Sequence, residues 1–225
     1  MSKFQVLFIS TPGIGNLVPT VEFAQRLINH DRRFSSTVLI ISLSQRPIVN
    51  SYIQSRASTS SDINFIHLPP ADSPSPDHYQ SSLGYISLFI EKHKLHVKNA
   101  IAKIQTQSDS VRVAGLFVDM FTTPMIDVAN ELHIPCYLYF ASPASFLGFM
   151  FHLPVLDTQL ATEFIHSDDP DELIVPKDSS TELIVPCFAN PLPPLVLPTS
   201  VLKRRQDSHY WFLHHARSLL RWTGS

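Results

Sequence analysis

Two glycines and an asparagine follow the first apolar run of the chain, in the stretch TPGIGNLVP at residues 11–19. Glycines at a strand-to-helix turn allow a ligand, often a phosphate, to approach the backbone closely. Asn16 is the last residue before the predicted helix, a position at which asparagine is a good N-cap. Its carboxamide could also contact a ligand, or Asn16 could replace a residue that had a catalytic role. Cap and contact are compatible, so the residues alone leave the role of Asn16 open.

Sharper catalytic motifs are missing from the sequence. A dinucleotide fingerprint needs a third glycine where Val18 stands, and the second predicted strand ends without an acidic residue. Neither a phosphate-binding G-K-[ST] nor a nucleophilic G-x-S-x-G occurs. His93 and His96 lie one helical turn apart without further ligands nearby, and His214 is adjacent to His215. Both pairs are therefore interpreted as structural, and no metal site is predicted.

The charge balance and the cysteine count exclude several classes of protein. The 225 residues carry 17 basic and 19 acidic side chains, a net charge of −2, which argues against binding to nucleic acid. Two cysteines are too few for a disulfide scaffold and fit a reducing compartment. The opening apolar run FQVLFIS is too short to span a membrane. We therefore expect a cytoplasmic protein without stable membrane insertion.

Apolar runs alternate with helical patterns over most of the chain. Strands are predicted at 4–10, 36–43, 63–69, 113–121 and 136–142. Helices are predicted after residue 16, as one long apolar stripe from Leu83 to Ile104, at 123–132, and in the closing segment DSHYWFLHHARSLLRW. Strands that are apolar on both faces and separated by helices indicate an α/β fold. We expect a Rossmann-like parallel sheet with helices on both faces.

The ends of the predicted strands suggest where a ligand would bind. In open parallel sheets, ligands bind beyond the carboxyl ends of the strands. The first strand ends at the glycine turn, the fourth at Asp119 and Phe121, and the fifth near Ser142. We expect these three loops to share one crevice, with the positive N-terminal end of the first helix directed into it.

The chain changes character after Pro154. Residues from about 155 to 200 are rich in proline and acid and show no sustained period, which predicts an irregular excursion on the surface. This segment contains DELIVP at 171–176 and TELIVP at 181–186, which indicates a local duplication rather than a solenoid repeat.

Three stretches together carry a family resemblance: FQVLFISTPGIGNLVPTVEFAQRL, GLFVDMFTTPMIDVANELHIPCYLYFASPASFLGFMFHLP and FANPLPPLVLP. They resemble the N-terminal half of plant-type UDP-dependent glycosyltransferases, and the likeness extends over residues 4–217. Those enzymes have two facing Rossmann-like domains, the GT-B arrangement, and transfer a sugar from a UDP-sugar to small acceptors such as flavonoids. The chain looks most similar to the group that acts on phenolic and terpenoid metabolites. The resemblance implies that residues 1–217 form an acceptor-binding domain.

The resemblance also implies roles for individual residues. The family's general base is a histidine at the position held here by Asn16, and Asp119 matches the aspartate that orients it. The base takes the proton of the acceptor hydroxyl while its oxygen attacks the anomeric carbon, UDP leaves from the opposite face, and the configuration inverts. By analogy the acceptor site is lined by a further set of residues. These are Gly15, Phe121, Ser142, Phe146, Phe149 and Met150. The last three, on the helix after the fifth strand, are equally compatible with a place in the core.

Two departures from the family's pattern predict impaired catalysis. The carboxamide of Asn16 has no lone pair basic enough to accept a proton near neutral pH. The family's donor-binding signature is not found in the sequence, and residues 218–225 diverge from the family. We therefore expect a truncated chain without the C-terminal donor-binding domain.

Two hypotheses about function follow from these departures. The first is an impaired hexosyltransferase, with a UDP-sugar as co-substrate and no tightly bound cofactor, that acts on a phenolic or terpenoid with a partner supplying the donor domain. The second is a non-catalytic remnant that only binds the acceptor.

Overall fold

The computed structural model describes residues 3–43, 47–59, 62–106, 111–178 and 180–222. The described residues form two compact units. The first contains those up to Ser73 together with Phe89–Ala141, and the second contains Pro74–Leu88 and those from Ser142 onward.

A five-stranded parallel sheet forms the centre of the first unit. Its strands are β1 (Lys3–Ile9), β2 (Phe34–Ile40), β3 (Ile63–His67), β4 (Val111–Val118) and β5 (Cys136–Leu138). They are arranged in the order β3-β2-β1-β4-β5, and every neighbouring pair is parallel. The predicted α/β class and all five predicted strands are confirmed, although each strand ends earlier than the sequence pattern suggested. The apolar runs continue beyond the strands because the loops at the carboxyl edge are buried as well, as at Ser10 and Ile41.

Helices cover both faces of this sheet. The helices of the first unit are α1 (Ile14–His30), α2 (Pro47–Thr59), the end of α3 (Ser82–Glu91), α4 (Lys94–Thr106) and α5 (Met125–Glu131). Val6 and Phe8 of β1 belong to one apolar cluster with residues of α1 and α2. Side chains alternate along a strand, so Leu7 and Ile9 point to the opposite face, where they are equally buried. Helices α4 and α5 both contact β4.

The prediction of one long helix from Leu83 to Ile104 is wrong, because the structure has two helices there, α3 and α4, with a break between them. The ring of His93 causes the break. Its Nδ1 donates to the carbonyl oxygen of Phe89 over 2.8 Å, and its backbone N–H donates instead to Ile90. A side chain has thus taken the acceptor that a continuous helix gives to the backbone N–H four residues later. The apolar stripe alone carries no sign of this competition.

The second unit is built mainly from helices. It contains most of α3, then α6 (Ala144–Glu163), α7 (Thr199–Leu202) and α8 (Asp207–Arg221), with short 3-10 helices at Pro76–His78 and Pro194–Val196. Strands β6 (Phe164–Ile165) and β7 (Val175–Pro176) pair antiparallel. Helix α8 packs against α6 and α7, and the prediction of a closing helix is confirmed.

The prediction of an irregular segment from about 155 is wrong for its first residues. Helix α6 contains Pro154 and continues to Glu163. Leu153, Leu156 and Leu160 are at most 1% exposed and repeat at helical spacing. Packing of this stripe outweighs the backbone hydrogen bond that the proline removes.

The rest of the excursion is irregular, but it is not confined to the surface. In the first copy of the duplicated motif, Ile174 is buried and Leu173 is exposed. In the second copy, Leu183 is buried and the following Ile184 is 73% exposed. The two copies therefore bury opposite faces of an extended chain, which has a side-chain period of two.

Candidate functional site

The turn between β1 and α1 depends on Gly13. This residue has φ 137° and ψ 153°, a region that only glycine adopts readily, and it directly precedes the helix. Helix α1 begins at Ile14, so Asn16 lies in its first turn. The interpretation of Asn16 as the N-cap is therefore wrong. The extended, positive-φ backbone of Gly13 turns the chain three residues earlier than the sequence suggested.

The first turn of α1 is open to solvent at Gly15 and Asn16, which are both exposed. The side chain of Asn16 makes no hydrogen bond to any residue that the structure describes. The backbone carbonyl oxygen of Asn16 accepts a hydrogen bond from the Thr20 hydroxyl over 2.8 Å. A Cβ added at Gly15 would meet no described atom within 4 Å. The space next to the position that the family resemblance assigns to the base is therefore not occupied by any residue that the structure describes.

Asp119 joins the loops that follow β1 and β4. Its Oδ2 accepts the backbone N–H of Thr11 over 2.5 Å, and its Oδ1 accepts the Thr11 hydroxyl over 2.8 Å. The same Oδ1 accepts the backbone N–H groups of Phe121 and Thr122, each over 3.0 Å. The predicted meeting of these two loops is confirmed, and the carboxylate of Asp119 holds them together.

The environment of Asp119 acts on its pKa in two directions. Burial raises the pKa of Asp119 above its ordinary value, while the hydrogen bonds from Thr11, Thr122 and Phe121 oppose the rise by stabilising the carboxylate. The side chain is only 8% exposed, and most of its acceptor positions are filled by the chain's own donors. Geometry therefore gives Asp119 the role of a positioning residue for the β1–α1 turn.

Sequence reasoning identified Asp119 but missed Thr11, which supplies two of its hydrogen bonds. It also missed Thr122, whose hydroxyl accepts the backbone N–H of Asp119 over 2.8 Å. A hydroxyl residue directly after an apolar strand was the available signal, because such side chains commonly bond to nearby backbone groups in turns.

Four residues of the predicted acceptor site lie in the second unit. Ser142 is exposed and Phe146 is half-buried, with its ring stacked on that of Phe149 at a centroid distance of 5.9 Å. Phe149 is 3% exposed and Met150 is fully buried, so both pack in the core. This placement favours the core interpretation for these two residues, and the acceptor-lining role of all four stays a prediction.

The first unit has a cavity of about 700 Å³ at the carboxyl edge of β2. Its lining combines the glycine turn, the ends of β2 and β3, and helix α2. The lining residues are Gly13, Ile41, Ser42, Leu43, Pro47, Val49, Asn50, Ser51, Gln54 and His67. None of the predicted acceptor-binding residues is among them. Helix α2 was not predicted, because its sequence PIVNSYIQSRAST has no clear apolar stripe.

The described residues lack two kinds of segment or site. They contain no helix long and apolar enough to cross a membrane. They also contain no group of three or more His, Cys, Asp or Glu side chains placed to hold a metal ion.

Comparisons with known proteins find relatives among plant glycosyltransferases. No family model matches the chain. UDP-glycosyltransferase 43 of Pueraria montana var. lobata is 45% identical over 222 residues, which cover 96% of this chain and 43% of that protein. The putative UDP-glucose flavonoid 3-O-glucosyltransferase 3 of Fragaria ananassa is 41% identical over 219 residues, which cover 93% of this chain and 42% of that protein.

The fold agrees with the sequence relatives. The crystal structure of Medicago truncatula UGT71G1 complexed with UDP-glucose superposes with a TM-score of 0.79 at 31% identity, over 96% of this chain and 43% of that chain. The chain thus spans less than half the length of the relatives it matches. It is homologous to the N-terminal half of plant UDP-glycosyltransferases, and its fold corresponds to the α/β N-terminal domain of their GT-B fold.

Proposed function

We propose that this chain forms the acceptor-binding part of a UDP-glycosyltransferase that transfers a hexose, with inversion, to a hydroxyl of a small phenolic or terpenoid. The observation that carries the proposal is the Thr11–Asp119 link between the β1 and β4 loops in a chain homologous to such enzymes. β1 and β4 are neighbours at the point where the strand order reverses, and open α/β sheets bind ligands there.

Asn16 determines what chemistry this site supports. It occupies the position that the family resemblance assigns to the general base, and its amide cannot take a proton from a phenol. Its side chain is exposed, so it is available to form a hydrogen bond with an acceptor hydroxyl. Without a base, the transfer loses about 10²–10⁴-fold in rate.

Asp119 does not replace the missing base. Its carboxylate accepts hydrogen bonds from Thr11, Phe121 and Thr122, which would have to be given up before it could accept a proton from an acceptor. In the proposed mechanism Asp119 holds the β1–α1 turn in place, and the acceptor is oriented beside Gly15 and Asn16.

The co-substrate in this proposal is a UDP-sugar, as in the UDP-glucose complex of the Medicago protein. The residues that hold it would come from outside the acceptor-binding part, from a donor domain in the same protein or in a partner. Both cysteines are thiols, which supports the proposed cytoplasmic setting.

A second candidate function is acceptor binding without transfer. The specific observation in its favour is Asn16, since an amide can bind a hydroxyl but cannot deprotonate it. The two candidates share the same acceptor site and differ only in whether sugar is transferred.

Acceptor binding is tested by blocking the open space at Gly15. Gly15→Trp should weaken the binding of a flavonoid measured by calorimetry, because the new ring would fill the space beside the turn. Asn29→Trp is the matched control, since Asn29 is exposed near the other end of the same helix. Equal flavonoid affinity in both variants would contradict the proposed location.

Transfer is tested with the same protein. The purified chain, supplied with UDP-glucose and the flavonoid, is expected to form no detectable glucoside. Glucoside formation that disappears in Asp119→Ala would show that this chain alone binds the donor and transfers its sugar, contrary to the proposal that the donor-binding residues come from outside it.

A further inference from the structure

A second cavity in the first unit lies between the end of β3 and helix α4. Its volume is about 430 Å³. Its lining consists of the last residues of β3, the two that follow, and one face of α4. The lining residues are Ile66, His67, Leu68, Pro69, His96, Asn99, Ala100, Lys103 and Ile104. It shares only His67 with the larger cavity and contains no residue of the proposed acceptor site.

The α4 residues converge on this cavity because of their spacing. His96, Asn99 and Lys103, together with Ala100 and Ile104, follow one another at intervals of three and four residues. Side chains at this spacing lie on the same face of a helix. The apolar part of the lining comes from Ala100, Ile104 and the end of β3.

The polar groups at the cavity are donors or bases. His67, His96 and Lys103 bring basic nitrogen, and Asn99 brings an amide. Among the described residues, no carboxylate is part of the lining. The Nδ1 of His67 lies 3.3 Å from the Ser42 hydroxyl, which leaves its Nε2 for another partner.

Lys103 differs from the other two lysines of α4. Lys94 is paired with Asp127 at 2.9 Å, and Lys98 is paired with Glu131 at 2.7 Å. Lys103 forms no ion pair with any residue that the structure describes, although it lies on the face that lines the cavity. An exposed cation with no ion-pair partner among the described residues, at the edge of a cavity with apolar lining residues, is suited to a ligand with a negatively charged group and an apolar body.

We propose that this cavity is a binding site for a small aromatic carboxylate, with the ring against Ala100, Ile104 and Leu68 and the carboxylate directed to Lys103 and His96. The volume falls within the range of small-molecule pockets and accommodates one or two fused rings. The site is separate from the Asp119 loops, and the inference does not depend on the proposed transferase function.

The test uses a pair of probes of nearly equal shape, 1-naphthoate and 1-naphthamide, with the full chain. Calorimetry should show naphthoate binding about tenfold more tightly than the neutral amide. In Lys103→Gln this preference should fall to about threefold or less, since an exposed cation contributes modestly. Lys98→Gln is the matched control, because Lys98 is on the same helix but pairs with Glu131, and the preference should be unchanged.

A second variant tests the apolar half of the site. Ala100→Phe should fill the cavity and weaken naphthoate binding at least about tenfold. If circular dichroism shows that this variant is not folded, the site is tested by an NMR titration of the unaltered chain with naphthoate. Naphthoate should then shift the signals of the Asn99 side-chain amide and the Ile104 methyl groups. Equal affinity for the two probes, equal effects of Lys103→Gln and Lys98→Gln, or shifts confined to other residues would overturn the proposal.

Discussion

At the scale of single residues, the candidate site depends on one carboxylate and one amide. Asp119 accepts donors from Thr11, Phe121 and Thr122, so its main effect is to hold two loops together. Asn16 lies in an open helical turn without a side-chain hydrogen bond to any described residue. In the proposed function, Asp119 positions the turn, and Asn16 stands where the family resemblance places a base.

Removing the carboxylate of Asp119 should be costly. Asp119→Ala removes the carboxylate that accepts from the backbone N–H groups of Thr11, Phe121 and Thr122, the first and last of which are buried, so the free energy of unfolding should fall by about 3 kcal/mol. The measurement is urea denaturation followed by circular dichroism.

Asp127→Ala serves as the matched control for this experiment. Asp127 pairs with Lys94, but its side chain is 68% exposed, so the loss should stay below about 1 kcal/mol. Similar losses in Asp119→Ala and Asp127→Ala would mean that Asp119 does not anchor the loops.

At the scale of elements, the β1–α1 turn shows what could and could not be read from the sequence. The glycine pattern predicted a strand-to-helix turn, and the structure has one. It did not predict which glycine carries the unusual backbone, because φ is not visible in residue types. The structure assigns that role to Gly13, while Gly15 is an ordinary residue inside α1.

Substituting the two glycines should therefore have opposite results. Gly13→Ala should lower the free energy of unfolding by about 1–3 kcal/mol, because alanine does not tolerate the φ and ψ of this position. Gly15→Ala should leave it unchanged or raise it by up to about 1 kcal/mol, since alanine favours helix and its Cβ would meet no described atom within 4 Å. Thermal and urea unfolding of the two variants measure the difference. A loss in Gly15→Ala as large as that in Gly13→Ala would contradict this assignment.

The other elements differ in how well their sequence patterns predicted them, for identifiable reasons. The five strands were predictable because apolar runs buried on both faces are distinctive. Helix α2 was missed because it has little amphipathic character, and the break before α4 because the His93 ring takes a backbone acceptor. The continuation of α6 past Pro154 depends on tertiary packing of Leu156 and Leu160, which a local pattern does not reveal.

At the scale of the whole molecule, buried histidines link stability to pH. Burial lowers the pKa of His93, His209 and His215. The effect is largest for His215, which is fully buried with its Nε2 3.0 Å from the Ser87 hydroxyl and whose pKa falls to about 3. An unfolded chain takes up a proton on such a histidine near pH 6.5, whereas the folded chain does so only far below that value.

The free energy of unfolding should therefore decrease on acidification. The contribution of His215 is fully present above about pH 6.5 and is lost progressively as the pH falls towards 3, at up to about 1.4 kcal/mol for each pH unit. Urea denaturation at pH 7, 6 and 5 measures the slope.

His215→Gln is the informative variant for this slope. Glutamine does not titrate and can still form a hydrogen bond with Ser87. Between pH 6 and pH 5, the slope of the free energy of unfolding against pH should therefore correspond to about one fewer proton taken up on unfolding. An unchanged slope in His215→Gln would show that His215 is not the buried neutral group that the structure indicates.

The central claim is that this chain has the architecture of a glycosyltransferase acceptor domain but lacks its base at position 16. The most direct test joins residues 1–217 to the remaining C-terminal part of the Pueraria relative, with Asn16 or with Asn16→His, and measures kcat for glucoside formation from UDP-glucose and a flavonoid. We expect Asn16→His to raise kcat by about 10²–10⁴-fold. Equal kcat values in the two hybrids, with glucoside formed by both, would contradict the claim.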